Sequence, residues 1–236
     1  MGFGFYYFDY TYFIFIVPAL IITMIAQFRV KSTFQKYSRI ATAKNMSGAQ
    51  AADSVARFGG APGVQVQHIS GNLTDNFDPR NNTISLSDNV YGSTTIAAVG
   101  VAAHEAGHAI QNATGYFPNK IRTVLVPVTN IGSRLAMPLV IVGLFLPVQY
   151  DFVVTIGIAL YSFAVLFQLV TLPVEFNASF RAIRALDEAG ILYPDELEGA
   201  KKVLTAAAMT YLAASFTAIM SLLRLLILAG SRRGRD

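Results

Sequence analysis

Two of the chain's three histidines stand four residues apart, in His104-Glu105-Ala106-Gly107-His108. On a helix, residues i and i+4 share one face, about 6 Å apart. Two imidazoles so placed can both reach one zinc ion at roughly 2.0–2.1 Å. The glutamate between them, Glu105, points toward the same cleft without being a ligand. It can therefore take a proton from a water on the metal. The competing reading is a solvated helix face that carries two polar residues and a glutamate.

A catalytic zinc site takes three protein ligands plus water, and this segment supplies two. No histidine follows at metzincin spacing. His68, the remaining histidine, lies in an alternating segment and reads as exposed or structural. Glu175 is the better candidate, being the first charge after 23 uncharged residues. A carboxylate at a membrane face is costly unless paired or metal-bound. On the residues alone, an ordinary helix-boundary charge paired with Arg181, Arg184 or Arg122 stays open beside the ligand reading.

The elements that must carry these residues follow from composition. Hydrophobic residues make up 53% of the 236 and charged ones 14%, with mean hydropathy +0.47. A soluble domain carries about 25% charged residues. The balance excludes a disordered charged tail and argues against an ordinary soluble enzyme. The absence of cysteine excludes disulfides, Cys-based zinc sites, iron–sulfur clusters and thiol nucleophiles. The net charge of +4 reads as positive loops beside a membrane.

Apolar runs predict spans at about 12–28, 124–148 (interrupted by Arg134), 152–174 and 203–229 (containing Arg224). The first is expected to be a retained anchor. Tyr6, Tyr7, Tyr10 and Tyr12 precede it, Arg29 and Lys31 follow, and neither a basic n-region nor a cleavage site is present. Loops 29–123 and 175–202 hold most of the Lys and Arg residues, whereas Asp9 and Asp151 lie on the opposite side. That bias places both loops in the cytoplasm, although the tail arginines 232, 233 and 235 disagree with it. The basic residues trace span ends rather than a patch interleaved with aromatics, so no nucleic acid partner is expected.

Within the first loop, Ser47–Phe58 predicts a helix capped by Ser47 and closed by Gly59-Gly60. Val64–Ile69 and Thr83–Leu86 predict strands joined by the turn-rich connection GNLTDNFDPRNN. Thr94–Ala113 predicts the helix that carries the histidines, and Phe176–Ala189 a further helix ending at Gly190. The chain thus reads as mainly α and integral to a membrane. About four transmembrane helices are expected, with a small α+β part between the first and second spans.

VAAHEAGHAIQ, TLPVEFNASFRAI and KKVLTAAAMTYLAA together resemble the YugP-type family of membrane zinc metallopeptidases. LTDNFDPRNNTISLSDNVYG is also similar to that family's pattern, with one departure: Asn76 stands after TD where a histidine is expected. The match covers nearly the whole chain. HEAGH with a distant ExxxS is more remotely similar to HtpX-like and CAAX-prenyl peptidases. The resemblance implies a single metallopeptidase domain, 1–236, in a bacterial plasma membrane. It implies one Zn2+ per chain held by His104, His108 and Glu175, with Glu105 as catalytic base. The implied activity is zinc-dependent endoproteolysis, with a peptide or membrane protein as substrate and the lipid bilayer as surroundings.

Asn112, Asn177, Arg181 and Tyr211 are candidate oxyanion donors. Asn177 and Ser179 are candidate partners of the metal ligands. Strand 64–69 is a candidate for pairing with substrate. A non-catalytic metal-binding scaffold or regulator is the alternative, and it leaves Glu105 without a purpose. A transporter would place its ion site near mid-membrane rather than at span ends.

Overall fold

The computed structural model describes residues 10–233. Expectations for Tyr6, Tyr7, Asp9 and Arg235, and for the side chains of Arg232 and Arg233, fall outside what it describes.

The first helix starts irregularly. Pro18 has no N–H to donate, and the preceding turn Tyr12–Ile16 is wound as a π-helix, with the Val17 N–H reaching Tyr12 O. α1 (Val17–Tyr37) follows, then α2 (Gly48–Phe58). Ser47 caps α2 by accepting from the Gln50 N–H, while the Gln50 side chain accepts from the Ser47 N–H at 2.9 Å.

Three short strands come next: β1 (Gln65–His68), β2 (Asn76–Asp78) and β3 (Thr83–Leu86). β3 is central and wholly buried; β1 pairs with it parallel and β2 antiparallel. α3 (Ile96–Ala113) is capped by Thr95, whose hydroxyl accepts from the Ala98 N–H. α4 (Phe117–Phe145), a 3-10 turn (Val148–Tyr150), α5 (Phe152–Glu188) and α6 (Pro194–Arg233) complete the order. Gly190, at φ +60°, makes the left-handed turn after α5. Pro194 opens α6, with Asp195 and Glu196 in its first turn.

Among the described residues, four helices are long and apolar enough to cross a membrane: Tyr12–Tyr37, Phe117–Phe145, Val148–Glu188 and Pro194–Ser231. The small sheet lies between the first and second of them in sequence, as expected. The helices outrun the apolar runs because hydropathy marks lipid-compatible residues, not helix ends. Residues 176–188 are therefore no separate helix but the last turns of α5. The helix holding Arg134 begins well before it, at Phe117. The connection GNLTDNFDPRNN is also more than turns, since it contains β2.

Two compact units emerge. The first takes residues up to Ile25, Thr123–Leu169 and those from Leu212 on. Its core includes Val140, Val154, Ile158, Leu225 and Ala229. Thr23 and Thr217 share a hydroxyl hydrogen bond at 3.0 Å. Arg224 faces protein, with its guanidinium 5.4 Å from the Tyr12 ring centre. Leu20, Ile21, Met24, Ile131, Leu135, Ile141, Ile156, Phe163 and Leu166 are exposed on its helices, the outward apolar surface that lipid requires.

The second unit takes Ala26–Arg122 and Val170–Tyr211. Its core joins Val55 of α2, Ile84 and Leu86 of β3, Val99 of α3, Leu186 of α5 and Leu204 of α6. All the site residues considered below lie in this unit.

Candidate metal centre

α3 is built from small residues where it is most crowded. Ala102, Ala103, Ala106 and Ala109 are buried along it. At Gly107 the backbone of α5 comes so close that a Cβ would collide with the Ala178 carbonyl. This contact sets α3 against the α5 segment that carries Glu175, Asn177 and Ser179. Pro173 removes one helix hydrogen bond just before that segment.

The structure brings His104, His108 and Glu175 together, with one ligand atom from each within 4.8 Å of the others. Glu175 Oε2 lies 3.2 Å from His104 Nε2 and 3.5 Å from His108 Nε2. The other carboxylate oxygen, Oε1, lies 3.2 Å from Arg122 Nη1 of α4. At 2% exposure Glu175 is not a solvated helix-boundary charge. Arg122, one of the partners considered for it, does pair with it, but through the oxygen turned away from the histidines.

Each histidine is held from behind. His104 Nδ1 lies 3.1 Å from Ser179 Oγ, and His108 Nδ1 lies 3.1 Å from Gln111 Oε1. The Gln111 amide donates to Val174 O at 2.7 Å and to Asn177 Oδ1 at 3.0 Å. Arg181 Nε also donates to Asn177 Oδ1, at 2.8 Å, and its guanidinium stands 5.7 Å from the Tyr116 ring centre. Asn177 and Ser179 thus stand behind the candidate ligands, whereas Gln111 is not recognisable from sequence alone. The signal for it was faint: one amide, three residues after His108, in an alanine-rich helix.

Glu105 is buried beside this cluster. Burial pushes its carboxyl from the ordinary 4.5 up to about 7; Glu175 and Asp75 push the same way, while His104 and Arg122 oppose. Asp75 is itself held by Ser87, whose N–H donates to Oδ1 at 2.8 Å.

Of the four candidate oxyanion donors, Asn112 is exposed, and Asn177 and Arg181 are engaged with each other. Tyr211 of α6 is part-buried, within electrostatic reach of Glu175 and Glu105. His68 takes no part in the cluster. It pairs with Asp88 at 2.7 Å on the exposed face of β1. A Gly71 N–H and His68 hold the Asp88 carboxyl below its ordinary value. β1 packs on α2, while β2, the other edge of the sheet, packs on α3.

The chemistry of the donors tests the fit of a metal independently. Val174 O can only accept, so the Gln111 nitrogen faces it and Gln111 Oε1 faces His108. His108 Nδ1 then carries a proton, so that in the neutral ring it is the Nε2 lone pair that faces a carboxylate oxygen 3.5 Å away. With that ring neutral, two acceptors face each other in a buried site, an arrangement that a cation between them would satisfy. Two imidazoles and a carboxylate suit zinc in kind and number.

Residues 12–230 match the family described as "Putative neutral zinc metallopeptidase". The chain is also 41% identical, over 220 residues, to a protein of Bacillus subtilis (strain 168) described as "Putative membrane protease YugP". That alignment covers 93% of this chain and 96% of the relative. No solved structure matches the chain. From the start of its first apolar helix almost to its C-terminus, and with a largely buried His-His-Glu cluster, this chain belongs to the zinc metallopeptidase family.

Proposed function

We propose that this protein is an integral membrane endopeptidase that holds one zinc ion per chain through His104, His108 and Glu175. The observation that carries the reading is the convergence of two imidazole nitrogens and one buried carboxylate oxygen beside Glu105. When bound, zinc supplies a Lewis acid that polarises the scissile carbonyl and acidifies an attacking water.

Glu105 accepts that water's proton on its carboxylate and returns it to the leaving amine nitrogen. Glu105 would be ionised for that role at neutral pH by a cation held beside it, against the burial that favours its neutral form. The Tyr211 hydroxyl donates to the oxyanion as it develops, because it is the part-buried candidate donor within electrostatic reach of both Glu175 and Glu105. Arg122 holds the far oxygen of Glu175, leaving Oε2 for the metal. An extended substrate adds to the edge of β2, which packs on α3, rather than to β1, which packs on α2.

Lysine and arginine crowd loops 29–123 and 175–202, so the site faces the cytoplasm of a plasma membrane. Substrates are membrane proteins or peptides near that surface, and nucleic acid is not among the partners. Glu105→Gln tests the reading. Zinc content should stay at the wild-type level while hydrolysis of a confirmed substrate falls at least about 100-fold. Wild-type turnover in that variant would remove Glu105 from the mechanism.

A further inference from the structure

Gln111 is fully buried, and each polar atom of its amide has an assigned partner. Its two N–H bonds go to Val174 O at 2.7 Å and Asn177 Oδ1 at 3.0 Å. Neither acceptor is ambiguous. A backbone carbonyl never donates, and Asn177 Oδ1 is fixed as oxygen because Arg181 Nε donates to it at 2.8 Å. The amide therefore has one orientation, with Oε1 toward His108 Nδ1 at 3.1 Å.

We infer that Gln111 is a positioning residue that locks His108 in the Nδ1-protonated tautomer. Its two donated bonds tie that histidine to the stretch of α5 on either side of Glu175. The inference rests on the reading of His108 and Glu175 as metal ligands. It adds that the two are coupled, although they come from different helices. An imidazole free to place its proton on Nε2 would lose the lone pair it gives the metal, and a ring free to rotate would lose its aim. Arg181, stacked by Tyr116, is the outer anchor of the chain, since it fixes the Asn177 amide that fixes Gln111.

The test uses full-length protein in detergent, labelled with 15N-histidine, with His108 assigned by comparison with His108→Ala. Metal-free wild type should show His108 protonated on Nδ1. Gln111→Met keeps the volume and removes the acceptor. It should shift His108 toward the Nε2-protonated form, leave the His104 signal in place and weaken zinc binding about 10–100-fold. Unchanged His108 signals and unchanged zinc affinity in a folded Gln111→Met protein would overturn the inference.

If Gln111→Met does not fold, the Asn177 pair decides. Asn177→Asp keeps an acceptor for both Gln111 and Arg181 and should retain wild-type zinc affinity, whereas Asn177→Ala should lose it. Equal affinity in Asn177→Ala and wild type would overturn the inference. Wild type that binds no zinc would defeat the peptidase reading instead, while the tautomer of the metal-free protein would still report on Gln111.

Discussion

Glu105 carries a thermodynamic signature of its own. Burial raises its carboxyl from 4.5 to about 7, so the metal-free folded state holds that proton more tightly than the unfolded chain does. The resulting stabilisation is complete below pH 4.5 and is lost as pH rises to about 7, amounting to roughly 3 kcal/mol. Glu105→Gln, which has no proton to lose, should match the wild type near pH 4. In the presence of chelator it should then become the more stable protein as pH rises through that window. Unfolding midpoints that run parallel for the two proteins would contradict the burial argument. Tyr211→Phe separates catalysis from binding at the same scale: zinc content should hold while kcat falls about 100-fold. Full activity in that variant would send the oxyanion role elsewhere.

At the scale of elements, the site exists because α3 and α5 touch at Gly107 and Ala178. Gly107→Ala drives a Cβ into backbone, which cannot yield as a side chain can. The helices must separate, moving His108 away from Glu175. Zinc affinity should fall at least about 10-fold and stability by about 1–3 kcal/mol. Gly100→Ala is the control on the same helix, because its Cβ would meet the Ala200 Cβ at an ordinary 3.5 Å. It should bind zinc as wild type does. Loss of zinc in both variants would mean that general helix packing, not the close approach at Gly107, sets the site.

This scale also explains what could be read in advance. His104, Glu105 and His108 were legible because their spacing is local to one helix, and Glu175 because it breaks a long uncharged run. Gln111, Arg122 and Tyr211 were harder to place, since their roles depend on which faces of α4, α5 and α6 meet α3. No local spacing records that. β2 leaves no local signal, because three residues in a turn-rich run become a strand only through pairing with β3. A sequence reading divides α5 at Glu175 because charge returns there, yet the helix runs on through both Pro173 and that charge.

For the whole molecule, the outstanding question is which side of the membrane holds the site. The chain contains no cysteine, so single cysteines can be introduced without a background. Ser70, in the loop between α1 and α4, and Gln149, between α4 and α5, are both exposed. With cytoplasmic loops, Ser70→Cys should react with an impermeant thiol reagent only after the cells are permeabilised, and Gln149→Cys should react in intact cells. The reverse labelling would turn the protein over and put its substrates outside.

The central claim is the three-ligand metal centre, and metal analysis of the purified protein in detergent tests it without a substrate. The account predicts about one zinc per chain in wild type and Glu105→Gln, and loss of zinc in His108→Ala and in Glu175→Ala. Wild type that stays metal-free after zinc reconstitution, or zinc retained in Glu175→Ala, would contradict it.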